Sequence, residues 1–236
     1  MLTLLVFACG TDKDKKAEEL IRKSMETHGG KDAWEALQAF SMEKETWLFL
    51  EDGSLESHSI QRQEFRLRPY FEAKMSWEKD SISHKVHFDG LKTRYWMGEN
   101  EIQNEGFLQS KKRDLDGAYY VMPKPFDLLE GGKILAYQGS QKLPDGRAAE
   151  VVQVIDGDPE DPATDIWWYY FDGNTGEILA YKAKTSGHYA LVYNKSWDKS
   201  TGVFFPSERE TYRVDSLGNP LYLRAKYAYR NYQAIK

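Results

Sequence analysis

The stretch YFEAKMSWEKDSISHKVHFDG, residues 70–90, decides the fold. Phe71, Ala73, Met75 and Trp77 fall on one side of an extended chain, and Tyr70, Glu72, Lys74, Ser76 and Glu78 on the other. Ile82, His84, Val86 and Phe88 then alternate with Ser83, Lys85, His87 and Asp89. Successive side chains of a strand point to opposite faces, so this is the pattern of two β-strands with one covered and one wet face. Asp89-Gly90 ends the second with turn chemistry.

The same period of two runs from Phe40 to the C-terminus. It is punctuated at Asp52-Gly53, Asp145-Gly146, Asp172-Gly173-Asn174-Thr175-Gly176 and Gly218-Asn219-Pro220. Ten or eleven strands are expected, without internal repeat or βαβ alternation. The fold class is mainly β (α+β): a strongly curved antiparallel sheet with helices on one face. In Ile166–Phe171, IWWYYF, both parities are apolar, so this strand must be covered on both sides, by core on one and by a helix, lid or ligand on the other. Leu221, Leu223, Ala225, Tyr227 and Tyr229 form another single face.

Before the strands, residues 17–28 put Ala17, Leu20, Ile21, Ser24, Met25 and His28 on one face of a helix that Gly29-Gly30 ends. A second short helix is expected over 32–39, capped by Asp32, with Trp34 and Leu37 facing inward. Residues 111–132 lose the period of two and carry Pro123 and Pro125, which predicts a short helix, a break and a second short helix.

Composition narrows the function. The net charge is −5 and Lys and Arg are spread along the chain, which excludes electrostatic binding to nucleic acid. No apolar run approaches the roughly 18 residues that span a bilayer, so a membrane is reached by an anchor rather than a span. A single cysteine, Cys9, excludes an internal disulfide framework and a Cys-based metal knuckle.

No local signature of a nucleophile, zinc or phosphate site occurs, and no catalytic residue, metal ligand or cofactor is assigned. His84 and His87 are three apart on a strand and so face opposite ways, which argues against a two-His metal site. The loop DGDPEDPATD, residues 156–165, superficially resembles a calcium loop, but it lacks the sixth-position Gly and has Trp167 where a bidentate Glu belongs. A solvated hairpin loop is the better reading. Asp114 with Asp116, and Glu208 with Glu210, read as ordinary surface charge. The aromatic runs at 167–171 and 95–96 fit packed core, the wall of an apolar cavity or a sugar-stacking platform.

The N-terminus carries its own signal. Residues 1–8 are apolar apart from Thr3, and GTDKDKK follows Cys9 directly. Val6-Phe7-Ala8-Cys9 resembles the bacterial lipobox, with Phe7 where a smaller or β-branched residue is usual. No Lys or Arg precedes it, as in a truncated start. The resemblance implies a signal segment over 1–8, a lipidated tether over 9–16 and a single domain over 17–236. It also makes Cys9 a lipidation site whose acyl chains hold the protein at a membrane.

Several segments together resemble a family of bacterial lipoproteins of unassigned activity related to the lipoprotein-localisation factors LolA and LolB. They are AEELIRKSMETHGGKDAWEAL, HFDGLKTRYW, MPKPFDLLEGG, YYFDGNTGEILAYK and TGVFFPSERETYRV. The resemblance implies an unclosed half-barrel of about eleven antiparallel strands around a helical lid, with a cavity for acyl chains or another hydrophobic ligand. Phe71, Met75, Trp77, Val86, Phe88, Trp168 and Tyr170 are the candidate lining residues. The expected protein is non-enzymatic and sits in the cell envelope at the outer membrane, on its periplasmic or surface face. Its expected partners are a lipid or other hydrophobic small molecule and the membrane reached through Cys9, with an envelope protein as a further partner. Two alternatives stay open: an envelope-assembly module with a self-filled barrel, and a surface glycan-binding or hydrolytic lipoprotein.

Overall fold

The computed structural model describes residues 12–185 and 187–236. Cys9, the segment 1–8 and residues 9–11 of the expected tether lie outside the described residues. The chain opens with helix α1 (Asp12–Thr27) and the short α2 (Lys31–Ala36). Strands β1 (Ala39–Phe49), β2 (Leu55–Arg66), β3 (Glu72–Lys79), β4 (Ile82–Phe88), β5 (Thr93–Met97) and β6 (Asn100–Glu101) follow. After helix α3 (Glu105–Tyr120) come β7 (Ile134–Lys142), β8 (Ala148–Ile155), β9 (Ile166–Phe171), β10 (Ile178–Thr185), β11 (His188–Asp198), β12 (Phe205–Val214) and β13 (Pro220–Ile235).

All 13 strands belong to one sheet in the order β6-β5-β4-β3-β2-β1-β13-β12-β11-β10-β9-β8-β7. Every pairing is antiparallel, and β6 and β7 remain unpaired with each other, so the sheet is an unclosed half-barrel. The chain meanders from β1 out to the β6 edge and crosses by α3. It then returns from the β7 edge to β13, which pairs with β1. The strand count exceeds the expected eleven, and a two-residue strand such as β6 carries too little alternation to be read from sequence.

Register follows the alternation in the opening stretch. Ala73 faces Phe88, Met75 faces Val86 and Trp77 faces His84 across β3 and β4. A bulge beside Asn231, whose φ is 56°, switches the parity of β13. Tyr227, Tyr229, Tyr232 and Ala234 therefore all join the inner cluster.

That cluster lies on the concave side. Ala17, Leu20, Ile21 and Met25 of α1, Trp34 of α2 and the following Leu37 pack with Phe40, Phe65, Tyr169 and Phe171 of the sheet. Ser24 and His28 are buried too, so the helical face read from sequence is the face that docks. Burial of this apolar area supplies most of the stabilisation, at roughly 25 cal/mol per Å².

The helices differ in extent from expectation. Residues 12–16, assigned to a solvated tether, already belong to α1, and Lys15 and Lys16 are exposed. Lysine is a good helix former whether or not it is buried, so charge density alone does not stop a helix. Residues 111–132 give one helix instead of two. α3 begins earlier, where the Asn104 side chain accepts from the Phe107 N–H at 2.8 Å. After Tyr120 the chain makes successive three-residue turns, Phe126 N–H to Pro123 O and Leu128 N–H to Pro125 O. Two prolines in three positions withhold the N–H groups a continuing helix needs.

A second cluster lies on the opposite, convex face. Leu143, Val151, Tyr170, Leu191, Tyr193 and Val214 form its buried part, with Trp168, Tyr189 and Tyr212 packed against it. The two-sided apolar character of β9 is thus explained, although among the described residues no helix or lid supplies the outer cover. Neighbouring strands cover it themselves, with Lys182 Nζ 4.3 Å from the centre of the Trp168 ring.

Candidate functional site

Helix α3 lies across the concave face and leaves free volume on both sides. Its N-terminal half packs on β3, β4 and β5, with Phe107 edge-on to Tyr95 at 4.8 Å. Leu115 and Ala118 are buried beneath it. At its C-terminal end Tyr119 meets Phe71 at 4.7 Å and Phe65 at 5.4 Å, while Tyr120 meets Trp167 of β9 at 4.8 Å. The helix therefore bridges the two arms of the sheet.

At the end of the sheet where β1 begins, the concave side is filled by the protein's own rings. Phe40 stacks on Phe205 at 4.6 Å, Phe205 on Tyr232 at 5.1 Å, and Phe65 leans on Phe40 at 5.2 Å. Higher on the same strands the filling stops. A cleft of about 310 Å³ opens there, with Met75, Trp77 and Val86 as its apolar wall and Lys44, Gln61 and Gln63 as its polar wall. Lys111, Asp114 and Gly117 of α3 close the other side. A second cleft of about 520 Å³ flanks α3 toward β9, between Tyr120, Trp167 and the acidic loop at Asp156, Thr164 and Asp165. The two clefts share Gly117, and a β-carbon built there meets no atom within 4 Å.

The candidates read from sequence separate into three places. Met75, Trp77 and Val86 line the cleft beside α3. Phe71 and Phe88 belong to the same inner cluster, but line a separate recess at the sheet rim with Tyr70 and Leu91. Trp168 and Tyr170 point the other way, into the convex cluster, and their inward neighbours Trp167 and Tyr169 take the concave positions. With both parities apolar, nothing in IWWYYF labels the inner face.

The polar wall was not foreseen. Lys44 continues the inward parity of Phe40 and Met42, and Gln61 and Gln63 that of Phe65, so polar residues interrupting an apolar stripe were the available signal. Gln63 is fully buried; its Nε2 donates to Gln61 Oε1 at 3.2 Å, and its own Oε1 has no partner. Lys111 and Asp114 neutralise each other at 2.6 Å.

One cation belongs to this wall and a second stands behind it. Lys44 Nζ lies 4.7 Å from the Tyr227 ring centre and 5.8 Å from that of Tyr229. Burial, with a smaller contribution from the charge of Arg209, lowers its pKa from the usual lysine value, while Tyr227 opposes the shift. Arg209, buried on β12, donates through Nε to Asn194 Oδ1 at 2.8 Å and through a terminal nitrogen to the Val121 carbonyl at 3.4 Å. Its guanidinium carbon sits 5.7 Å from the centres of Tyr181 and Tyr229. Burial pushes the Tyr181 phenol up to about 12, against the pull of Arg209, so it remains neutral. Among the described residues neither Lys44 nor Arg209 has a carboxylate partner.

The histidines are occupied elsewhere. His84 stacks on Trp77 and bonds the Tyr95 hydroxyl, whereas His87 on the opposite face contacts Glu72 at 2.7 Å. His58 contacts Glu45 at 2.8 Å. Among the described residues no group of three or more His, Cys, Asp or Glu is placed to hold a metal ion. In the acidic loop, Asp158 and Asp161 accept from the backbone N–H groups of Glu160 and Ala163, the bonding of a self-capped turn.

No protein-family model and no curated protein sequence matches the chain. Solved structures do. A DUF1329 family protein from Desulfovibrio piger superposes with a TM-score of 0.61 at 11% identity, covering 95% of this chain and 94% of that one. A LolA superfamily protein from Nitrosomonas europaea gives 0.56 at 9% identity over 93% and 94% of the two chains. An outer membrane lipoprotein-sorting protein domain from Vibrio parahaemolyticus gives 0.55 at 9% identity over 94% and 93%. At these identities the likeness is one of fold, and the chain has the LolA-like fold.

Proposed function

We propose that the protein is a lipid-anchored protein of the cell envelope whose half-barrel binds a hydrophobic ligand without catalysing a reaction. The observation that carries this reading is the cleft between α3 and the concave face, walled by Met75, Trp77 and Val86 in a sheet that does not close. A recess that joins an apolar wall to convergent polar groups is a common form of small-molecule site, and half of this cleft's lining is polar. The LolA-like fold, shared with a protein described as lipoprotein-sorting, supports it. Anchoring through acylated Cys9 and an outer-membrane location rest on the lipobox-like VFAC.

Native mass spectrometry of the gently extracted protein tests the ligand. Co-purified lipid, lost in Gly117→Leu, is the expected result, because a leucine there grows from a residue that lines both clefts and has open space around its β-carbon. A wild-type protein that is uniformly free of ligand and takes up no added lipid overturns the reading. Palmitate labelling of wild type against Cys9→Ala tests the anchor, and equal labelling overturns it. One observation favours a second reading, a protein-interaction module: the rings of Phe40, Phe65 and Phe205 already fill part of the half-barrel. That reading predicts a dry protein and a captured envelope partner.

A further inference from the structure

We infer that the ligand is a single-chain amphiphile with an anionic head, a carboxylate or a phosphate, held at Lys44 with its chain along Met75, Trp77 and Val86. This inference rests on the hydrophobic-ligand reading and adds the class of head group.

The argument begins with charge. Removing an ammonium or guanidinium from water is costly unless an opposite charge accompanies it. Here two cations approach the tyrosine pair of β13 from either side, since Lys44 is in register with Tyr229 and Arg209 with Tyr227. Their mutual repulsion adds to the cost. Tyrosine faces return part of it through cation–π attraction, but a neutral phenol is no counter-ion. Asp114, the carboxylate in the lining of the cleft, is already taken by Lys111. With Lys44 protonated, the site carries net positive charge on a wall whose other half is apolar.

Gln63 is the second, independent observation. Its amide is buried at the same wall with an atom that has no partner. The oxygen and nitrogen of an amide exchange places by a half-turn. If both amides turn, Gln61 donates to Gln63, and the orphaned position carries a Gln63 N–H in place of an oxygen. Lys44 and Gln63 then present donors from adjacent strands, because Gln61 is in register with Lys44 and Gln63 with Met42. Arg209, fixed by Asn194 and Val121, stays behind the tyrosines and contributes field rather than contact. The modest volume of about 310 Å³ suits one chain better than two.

Calorimetric titration of the full chain with dodecanoate, dodecyl phosphate and dodecanol tests the head group. Wild type should bind at least one anion tighter than the alcohol by about 10-fold or more, and the preferred anion identifies the source as a fatty acid or a lipid phosphate. Lys44→Met should erase the preference while leaving dodecanol binding in place, and Lys44→Arg should keep it. Equal binding of all three by wild type overturns the head-group inference and leaves the hydrophobic-ligand reading standing. Retention of the preference by a folded Lys44→Met does the same. Binding of none overturns both.

Discussion

Trp34 of α2 and Phe126 of the segment after α3 stack with their rings 5.1 Å apart and within 1° of parallel. The contact ties the start of the fold to the crossover that links the two sheet edges. Phe126 is buried, and the turns on either side of it make few other regular bonds. Phe126→Ala should cost about 3–5 kcal/mol, the range for emptying a buried phenyl site. Urea unfolding followed by circular dichroism measures it. A loss within 0.5 kcal/mol of zero would mean that the crossover is not integral to the folded unit.

His28 makes stability depend on pH. Burial among Trp197 and Phe204 lowers its pKa from 6.5 to about 4, with the Ser24 carbonyl opposing and Lys199 adding to the shift. Its Nε2 has no partner, so the folded protein offers nothing to a second proton. Because the folded pKa lies below the unfolded one, the unfolded chain takes up the proton first as pH falls. The contribution is therefore complete above about pH 6.5 and lost progressively down to about pH 4, to a total of roughly 3 kcal/mol. Carboxylates such as Glu72 and Asp89, held below their usual range, act at lower pH. Stability curves should slope between pH 6.5 and 5 in wild type and flatten there in His28→Leu.

Two glycines should respond with opposite signs. Gly29 has φ +116°, and a β-carbon on it would come within 2.3 Å of the Gly202 carbonyl oxygen. Gly29→Ala therefore meets both a disfavoured backbone and a backbone clash, and should destabilise by about 3 kcal/mol. Gly117, inside α3 with open space around it, has neither obstacle. Gly117→Ala should stabilise by about 0.5–1 kcal/mol through helix propensity. Thermal midpoints that move in the same direction would contradict this account.

Where polarity marked a face, the sequence was legible. The shared face of Met75 and Trp77 and the alternation of His84, Val86 and Phe88 were readable, and so was the buried face of α1 from its spacing. β9 hid its orientation because Trp167 and Trp168 are equally apolar, and only the sheet's curvature tells inside from outside. The site hid for the converse reason. Lys44, Gln61 and Arg209 look like outward residues in any reading by hydrophobicity, yet they form the polar wall of the cleft and the charge behind it. The early start of α3 was masked by the mixed composition of 105–110, where the Asn104 cap was the local signal.

The division of the tryptophans between the two faces supplies the last prediction. Trp77 lines the cleft and stacks on His84 at 5.2 Å with planes 6° apart, whereas Trp168 lies under Lys182 in the convex cluster. A ligand in the cleft removes apolar area of Trp77 from water and leaves Trp168 untouched. Truncating a ring that contributes even half of its buried area loses more than 1.4 kcal/mol at the usual coefficient, or about 10-fold in affinity. Trp77→Ala should thus weaken binding of a dodecyl probe by about that factor, with Trp168→Ala within twofold of wild type. Quenching of tryptophan fluorescence on binding should vanish in the former and persist in the latter. Binding lost with Trp168 and kept without Trp77 would move the site to the convex face.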